Sequence, residues 1–412
     1  MITASSYLFA AAFAVYVVSA LLYIARITLR RRNAGLALAG GPVDSSKNEF
    51  ADRLGSLAFK LAVAGVVAQG GAILSRWVGS SQAPMSNMFE YMSFLGWSVM
   101  LFFVLISYWY KLPGLGAFVA PVGVIVIAYA SVFPTDVKPL VPVLQSYWMV
   151  LHVTTAALGE GAFAVSFGAA LMYLLRMRKE ESGPWEERIL ETVFYLFATV
   201  IAFLVLALGF KWSGYHATLS NAGNGAQAVD YTLPPIIGPV GSVTGEASFA
   251  GLSLPLLNAP SWMQGANAGK QLNTVMLSLL FGLVFYLVLR LVARGPLREL
   301  GSKAVAGMNP KLLDEVSYRG VAIGFPLFTL GGMVFAMIWA QKAWGSYWSW
   351  DPKETWAFIS WMFYAGYLHM RLQRGWEGKP SAWVSAFGFP LIIFTLVGVN
   401  LLISGLHSYA AG

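Results

Sequence analysis

The stretch SYLFAAAFAVYVVSALLYIARITLRRR (residues 6–32) runs twenty residues without a charge and then places Arg26, Arg30, Arg31 and Arg32 in quick succession. A helix rises 1.5 Å per residue, so roughly 20 apolar residues match the ~30 Å hydrocarbon core of a bilayer. Basic residues gather on the cytoplasmic side of such a span. With no basic segment before it and a cluster after it, the run reads as a retained helix with its N-terminus outside, rather than a cleaved signal peptide.

Further apolar runs lie at about 56–76, 92–110, 115–134, 149–175, 190–210, 273–293, 320–341, 356–372 and 382–404. Alternating from an outside N-terminus, all but six of the 27 Lys and Arg fall on inner segments; the exceptions are Arg76, Lys138, Lys211, Lys270, Lys342 and Lys353. A wrong parity would scatter these charges. The expected architecture is therefore an all-α polytopic membrane protein of about ten transmembrane helices, both termini outside, as one membrane domain over 1–412. Residues 33–55, with Gly-Gly-Pro-Val-Asp-Ser-Ser, read as an inner flexible loop. Residues 211–272, rich in Gly, Asn, Ser and Pro, read as a long outer loop.

Composition agrees. Hydrophobic residues make up 57% of the 412, charged residues only 11%, and mean hydropathy is +0.64, against about 25% charged in a soluble domain. The formal charge of +8 follows the topology and does not mark a nucleic-acid surface. The absence of cysteine excludes a CxxC thiol-redox role, thiolate-held iron–sulfur clusters and a covalent c-type haem of the chain's own.

Six of the fifteen tryptophans fall within residues 339–361: Trp339, Trp344, Trp348, Trp350, Trp356 and Trp361. Two readings compete: an interfacial aromatic belt, or a flat apolar platform for a large planar ring. Asp351, Pro352 and Glu354 carry a capping-box pattern, Asp at N-cap, Pro at the first helical position and Glu at the third. Lys353 is either a solvated interfacial cation or a partner for a ligand carboxylate.

There are four histidines. His152, at the outer end of the fifth run, and His407, beyond the tenth, share the face of the tryptophan loop; each is either structural or an axial ligand to haem iron. His369 lies near the inner end of the ninth run, where an ionisable residue is a functional candidate. His216 stands in the long outer loop. Glu160 lies within the fifth run and needs a partner or a polar cavity.

The run WGSYWSWDPKETW (344–356) with VGVNLLISGLHSY (397–409) resembles the tryptophan-rich WWD signature of haem-handling proteins. Within them it is similar to the CcsA/ResC membrane subunit of cytochrome c biogenesis System II. PMSNMFEYMSFLGW (84–97), YWMVLHVTTAALG (147–159) and LDEVSYRGVAIGF (313–325) agree. The resemblance implies that the protein transports haem b to the outer face of the membrane and positions it for attachment to the CxxCH motif of apocytochrome c. It implies a place in a holocytochrome c synthase (haem lyase) complex. His152 and His407 would be the external axial ligands, and His369 would belong to an inner transmembrane haem site. The loop residues Trp344, Gly345, Tyr347, Trp348, Trp350, Asp351, Pro352, Lys353, Glu354 and Trp356 would form the haem-binding surface.

Implied partners are a CcsB/ResB-like subunit that supplies the second inner ligand, apocytochrome c, and a thiol-reducing thioredoxin-like protein. No transit peptide is evident, which points to a bacterial plasma membrane ahead of a thylakoid. Residues 180–310 and the Leu158-Gly159-Glu160-Gly161 run depart from the family pattern. Three alternatives stay open: haem delivery without ligation, an electron-carrying cytochrome b, and a transporter of another substrate. A single inner histidine argues against the second.

Overall fold

The computed structural model describes residues 1–38, 45–85, 87–112, 114–137, 139–140, 142–177, 183–221, 228–240, 243–245, 247–260 and 268–399. The chain divides into two compact units, Met1–Ser182 with Glu299–Gly412, and Gly183–Arg298.

The first unit contains α1 (Ile2–Leu38), α2 (Ser45–Ser80), α3 (Met88–Tyr110), α4 (Gly116–Ala130) and α5 (Tyr147–Arg176). The second contains α6 (Pro184–Ser213), α7 (Ala268–Ala293) and, among the described residues between them, the short strands β1 (Ala217–Asn221), β2 (Ala228–Tyr231), β3 (Ile237–Val240), β4 (Val243–Thr244), β5 (Ala247–Phe249), β6 (Leu252–Leu254) and β7 (Leu257–Ala259). A short helix α8 (Leu297–Val305) spans the sequence boundary between them. The first unit then resumes with α9 (Pro310–Phe328), α10 (Ala336–Trp344), α11 (Pro352–Arg371) and α12 (Lys379–Ile393). A π-helical segment, Thr329–Phe335, joins α9 to α10, and another, Phe394–Gly398, extends α12.

The protein is an all-α polytopic membrane protein. Among the described residues, eight helical stretches are long and apolar enough to cross a membrane: 2–30, 45–80, 88–110, 147–176, 184–213, 269–293, 310–344 and 379–398. The remaining two expected spans are also helices. One, α4, has 15 residues, about 22 Å of rise. The other, α11, has 20 residues but carries Lys353, Glu354, His369 and Arg371.

The inner loop expected over 33–55 is largely helix. Helix α1 runs to Leu38 and α2 starts at Ser45, because Asp52 holds both Arg26 (3.1 Å) and Arg30 (2.6 Å) and draws the two helices together. Residues 39–44 lie outside the described residues.

Helix α5 is the core of the first unit, buried from Gly159 through Met172. Its neighbour α9 approaches closely because Gly159, Gly320 and Gly324 lack side chains; a Cβ at Gly159 would stand 2.7 Å from the Phe328 nitrogen. Ser166 then hydrogen-bonds the Ser317 carbonyl at 2.6 Å and the Ser385 hydroxyl at 2.7 Å, tying α5, α9 and α12. Small residues and hydroxyls of this kind hold helices together where lipid supplies no hydrophobic drive.

Arg76, one of the six cations on the outer side of the expected topology, is buried. Its Nε donates to Glu90 at 2.8 Å and its guanidinium to the Thr135 carbonyl at 2.9 Å. In the second unit, β1 pairs antiparallel with β2 and β4, β5 pairs antiparallel with β6, and β3 runs parallel to β7. Leu219, Val229, Tyr231 and Leu254 form its small core. Asn273 on α7 accepts from Ile237 N–H (2.9 Å) and donates to the Pro234 carbonyl (3.0 Å), fixing the strands to the helix.

Candidate functional site

A cavity with about 1220 Å³ of empty volume, open solvent included, lies within the first unit among α3, α5, α10, α11 and the two π-helical segments. His152, Tyr347, Trp348, Lys353 and Glu354 line it, and so do Glu160 and Trp339.

His152 is oriented by the chain around it. Its Nδ1 lies 2.9 Å from the Gly331 carbonyl. A carbonyl only accepts, so Nδ1 carries a proton and donates it to this bond. Metal-ligating histidines are commonly oriented in this way, by a hydrogen bond from the other ring nitrogen to a backbone carbonyl. The imidazole also lies parallel to Trp339, 13° between planes and 6.0 Å between centroids.

Gly331 can serve this role because it has no side chain: a Cβ there would stand 2.2 Å from the Ala156 nitrogen. Its carbonyl also accepts the Ala336 N–H across the π turn. Such turns interrupt helices at functional sites, and both π segments of this chain contribute to the cavity wall, through Gly332 and through Thr395 and Leu396.

Deeper along α5, at helical spacing from His152 through Ala156, stands Glu160, 3% exposed. Tyr91 donates its hydroxyl to the Glu160 carboxylate at 2.5 Å. Both roles open to this residue in the sequence are thus realised, a bond to a neighbouring helix and a place on a cavity wall. Its partner could not be read from the sequence, since Tyr91 is 69 residues away.

The tryptophan loop is not a flat platform. Trp348 and Trp350 meet at 86° and Trp339 and Trp344 at 76°, the edge-to-face packing that ring quadrupoles favour. The flat surface beside His152 is Trp339 itself. The buried indole N–H of Trp348 has no hydrogen-bond partner among the described residues, an unused donor on a cavity residue. Trp350 is 67% exposed and adopts φ +58°, a left-handed conformation that costs a non-glycine residue roughly 1–2 kcal/mol.

Gly345 ends α10 at φ +77°, its N–H on the Gln341 carbonyl (3.1 Å). Asp351 caps α11 by accepting from Lys353 N–H at 3.0 Å, and Pro352 is the first helical residue. The capping box is not closed as expected. The Glu354 carboxylate instead accepts from Ser349, at 2.7 Å from N–H and 3.0 Å from the hydroxyl, because the loop folds back over the helix start. Trp356 packs edge-on against Phe394 at 4.5 Å.

Lys353 is half-buried and stands ahead of the span expected at 356–372. Burial pulls its ammonium down to about 8 from an ordinary 10.5, and the Asp351 carboxylate acts in the opposite direction.

His369 is not part of this cavity. It is exposed in the last turn of α11, 18 residues from the Asp351 cap, or roughly 27 Å along a helix axis. His216 is exposed in the second unit. His407 lies outside the described residues; it follows Leu396, a cavity residue, by eleven positions.

Fold and site together define a multi-pass membrane protein with an aromatic-walled pocket that presents an oriented imidazole. The family model described as "Cytochrome C assembly protein" matches residues 85–224 and 263–407. The chain is 32% identical over 341 residues to the cytochrome c biogenesis protein CcsA of Trichormus variabilis, covering 81% of this chain and 83% of that protein. It is 31% identical to CcsA of Microcystis aeruginosa over 345 residues, 81% of each chain, and 30% to that of Gloeobacter violaceus over 345 residues, 82% of each.

The chain belongs to the cytochrome c assembly protein family and takes part in cytochrome c assembly. The match also corrects one expectation. Residues 180–310 are not as a whole foreign to the family, because only 225–262, mostly the strand-bearing loop, falls between the matched segments.

Proposed function

We propose that the cavity beside His152 holds haem b on the outer side of the membrane for covalent attachment to apocytochrome c. The observation that carries this reading is the hydrogen bond between His152 Nδ1 and the Gly331 carbonyl, which orients the imidazole at an aromatic-walled cavity. His407 supplies the second axial ligand, and Lys353 pairs with a propionate. Trp339, Trp348 and Tyr347 contribute apolar area to the ring.

Attachment adds the sulfur and hydrogen of each CxxCH thiol across a vinyl double bond, so it consumes no oxidant, but it does need both thiols reduced. A thioredoxin-like reductant on the outer side meets that need. The chain's share is orientation, because holding two reactants in register lowers a barrier by up to several kcal/mol. His369, at the other end of α11, serves a second haem site completed by a CcsB/ResB-like subunit, through which haem enters from inside. The setting is a bacterial plasma membrane.

The test is the absorption spectrum of the protein purified from haem-replete cells. Bound b-type haem is expected in the wild type and lost in the His152→Ala/His407→Ala double variant at normal protein level. A colourless wild type overturns the reading. Coexpression with the CcsB/ResB-like partner and an apocytochrome, scoring covalent haem, then separates ligation from delivery alone.

A further inference from the structure

A second cavity of the first unit lies at the other end of the helices, among α1, α2 and the end of α3, lined by Tyr23, Arg26, Asp52, Ser107, Tyr108 and Lys111 among others. Arg26 is 5% exposed. Its terminal nitrogen bonds Asp52 at 3.1 Å, but its Nε has no partner among the described residues. Ser107, 9% exposed, likewise leaves its hydroxyl without a partner. Two buried polar groups on one cavity wall each forgo a hydrogen bond, which is costly for a group withdrawn from water.

Water could satisfy hydrogen bonds here but not charge. Asp52 is shared by Arg26 and Arg30, and Lys111 follows directly on α3. The cavity lining thus carries two cations, Arg26 and Lys111, and one carboxylate, which Arg30 also bonds. The depth is that of a headgroup: α1 and α3 have their candidate spans at Ile2–Arg30 and Met88–Tyr110, so Arg26, Ser107 and Lys111 all stand in or beside the last turns of those spans. Tyr108 and Trp109 there are 70% and 59% exposed, the interfacial placement such rings favour.

We infer that this cavity binds the phosphate of an anionic phospholipid, with the Arg26 guanidinium, the Ser107 hydroxyl and the Lys111 ammonium as its ligands. The phosphate takes up the orphaned Arg26 and Ser107 donors and offsets the excess positive charge. The acyl chains leave along the aromatic wall into the bilayer. A soluble anion would have no use for that wall. Gly55 shapes the site by leaving room for Arg26, whose Nε would stand 2.6 Å from a Cβ at that position. The site is independent of the haem reading.

The test uses the full-length protein, delipidated in detergent and titrated with phosphatidylglycerol, phosphatidylcholine or inorganic phosphate. Retained lipid is read by native mass spectrometry and the unfolding midpoint by thermal melting. Phosphatidylglycerol is expected to stay bound in one copy and to raise the midpoint, while phosphatidylcholine and phosphate do neither. Lys111→Gln at the cavity rim with Ser107→Ala on its wall is expected to weaken retention about fivefold or more, since each basic residue near an anionic surface contributes on the order of 1 kcal/mol. Arg26→Lys, which keeps the charge and spares Asp52, should retain part of it. Equal retention of the two lipids, equal protection by phosphate, or an unaffected double variant would each overturn the assignment.

Discussion

His152 depends on a glycine 179 residues away, and this sets the sharpest expectation at the scale of single residues. In Gly331→Ala the new methyl collides with the Ala156 backbone, so the π turn must move away from α5 and take its carbonyl from the His152 Nδ1. Overpacking of this kind costs about 1–3 kcal/mol. Haem retained per protein should fall severalfold, with a lowered melting midpoint; full retention at an unchanged midpoint would mean that the carbonyl does not orient the ring. Lys353 gives a pH dependence. Its ammonium, drawn down to about 8 by burial, is charged below that pH and neutral above it. Folding therefore favours the neutral amine, and stability gains as pH rises from about 8 towards 10.5. A propionate reverses the preference, so haem affinity should decline above pH 8, and Lys353→Gln should flatten the profile. At this scale the sequence was informative where chemistry is local: the Asp351 cap and the Pro352 start could be read directly. It was silent on Gly331, on the Tyr91 hydroxyl that meets Glu160 and on the final use of Glu354, because each is decided by chain segments that meet only after folding.

Among the elements, the helices were legible and their irregularities were not. Twenty-residue apolar runs announce themselves by length, and a helix answers to each, although α1, α2 and α9 extend beyond theirs to Leu38, Ser45 and Pro310. The π segments at 329–335 and 394–398 leave no comparable trace. Gly331-Gly332 hints at the first, but an i→i+5 bond in place of i→i+4 is chosen by packing against α5, not by local preference. The strands of 217–259 were missed for a related reason: runs of two to five residues with little alternation resemble loop until they pair. Positive-inside counting set Arg76 aside as a cation on the wrong side, and the end of α2 explains it. With Glu90 it forms a buried pair at side-chain exposures of 5% and 2%, carried by the first turn of α3, where Asn87 caps the helix by accepting from Glu90 N–H at 2.9 Å. Removing one partner strands the other charge, at a cost of about 3–5 kcal/mol. Glu90→Ala should lower yield and melting midpoint sharply, whereas Arg76→Met with Glu90→Leu should recover most of the loss. A single variant as stable as wild type would show that the charge finds water or lipid headgroups instead.

Across the whole molecule, the decisive quantity is on which side of the bilayer each functional group emerges. Charge counting gives ten crossings, yet among the described residues eight helical stretches meet the length and hydropathy of a span. The other two, α4 and α11, bear directly on function. If α4 failed to cross, the parity of everything after it would invert, and His152 would face the cytoplasm. If α11 failed to cross, the tryptophan loop and His369 would emerge on one side and no second haem site would exist. Physical length does not decide this: α4 offers 15 residues, and bilayers thin to meet short helices at fractions of a kcal/mol per Å. The chain supplies its own test, since it has no cysteine and each introduced thiol is therefore the sole reactive one. Single cysteines at Lys111, Gln145, Gly307, Lys342 and Gln373 bracket both helices, all at exposed positions. A membrane-impermeant maleimide applied to intact cells should label Gln145→Cys and Lys342→Cys at once, and the other three only after permeabilisation. Identical labelling of the variants at 111 and 145 would remove α4 from the spans, and identical labelling at 342 and 373 would remove α11. Either result would separate His152 or His369 from the side of the membrane where its proposed haem must arrive.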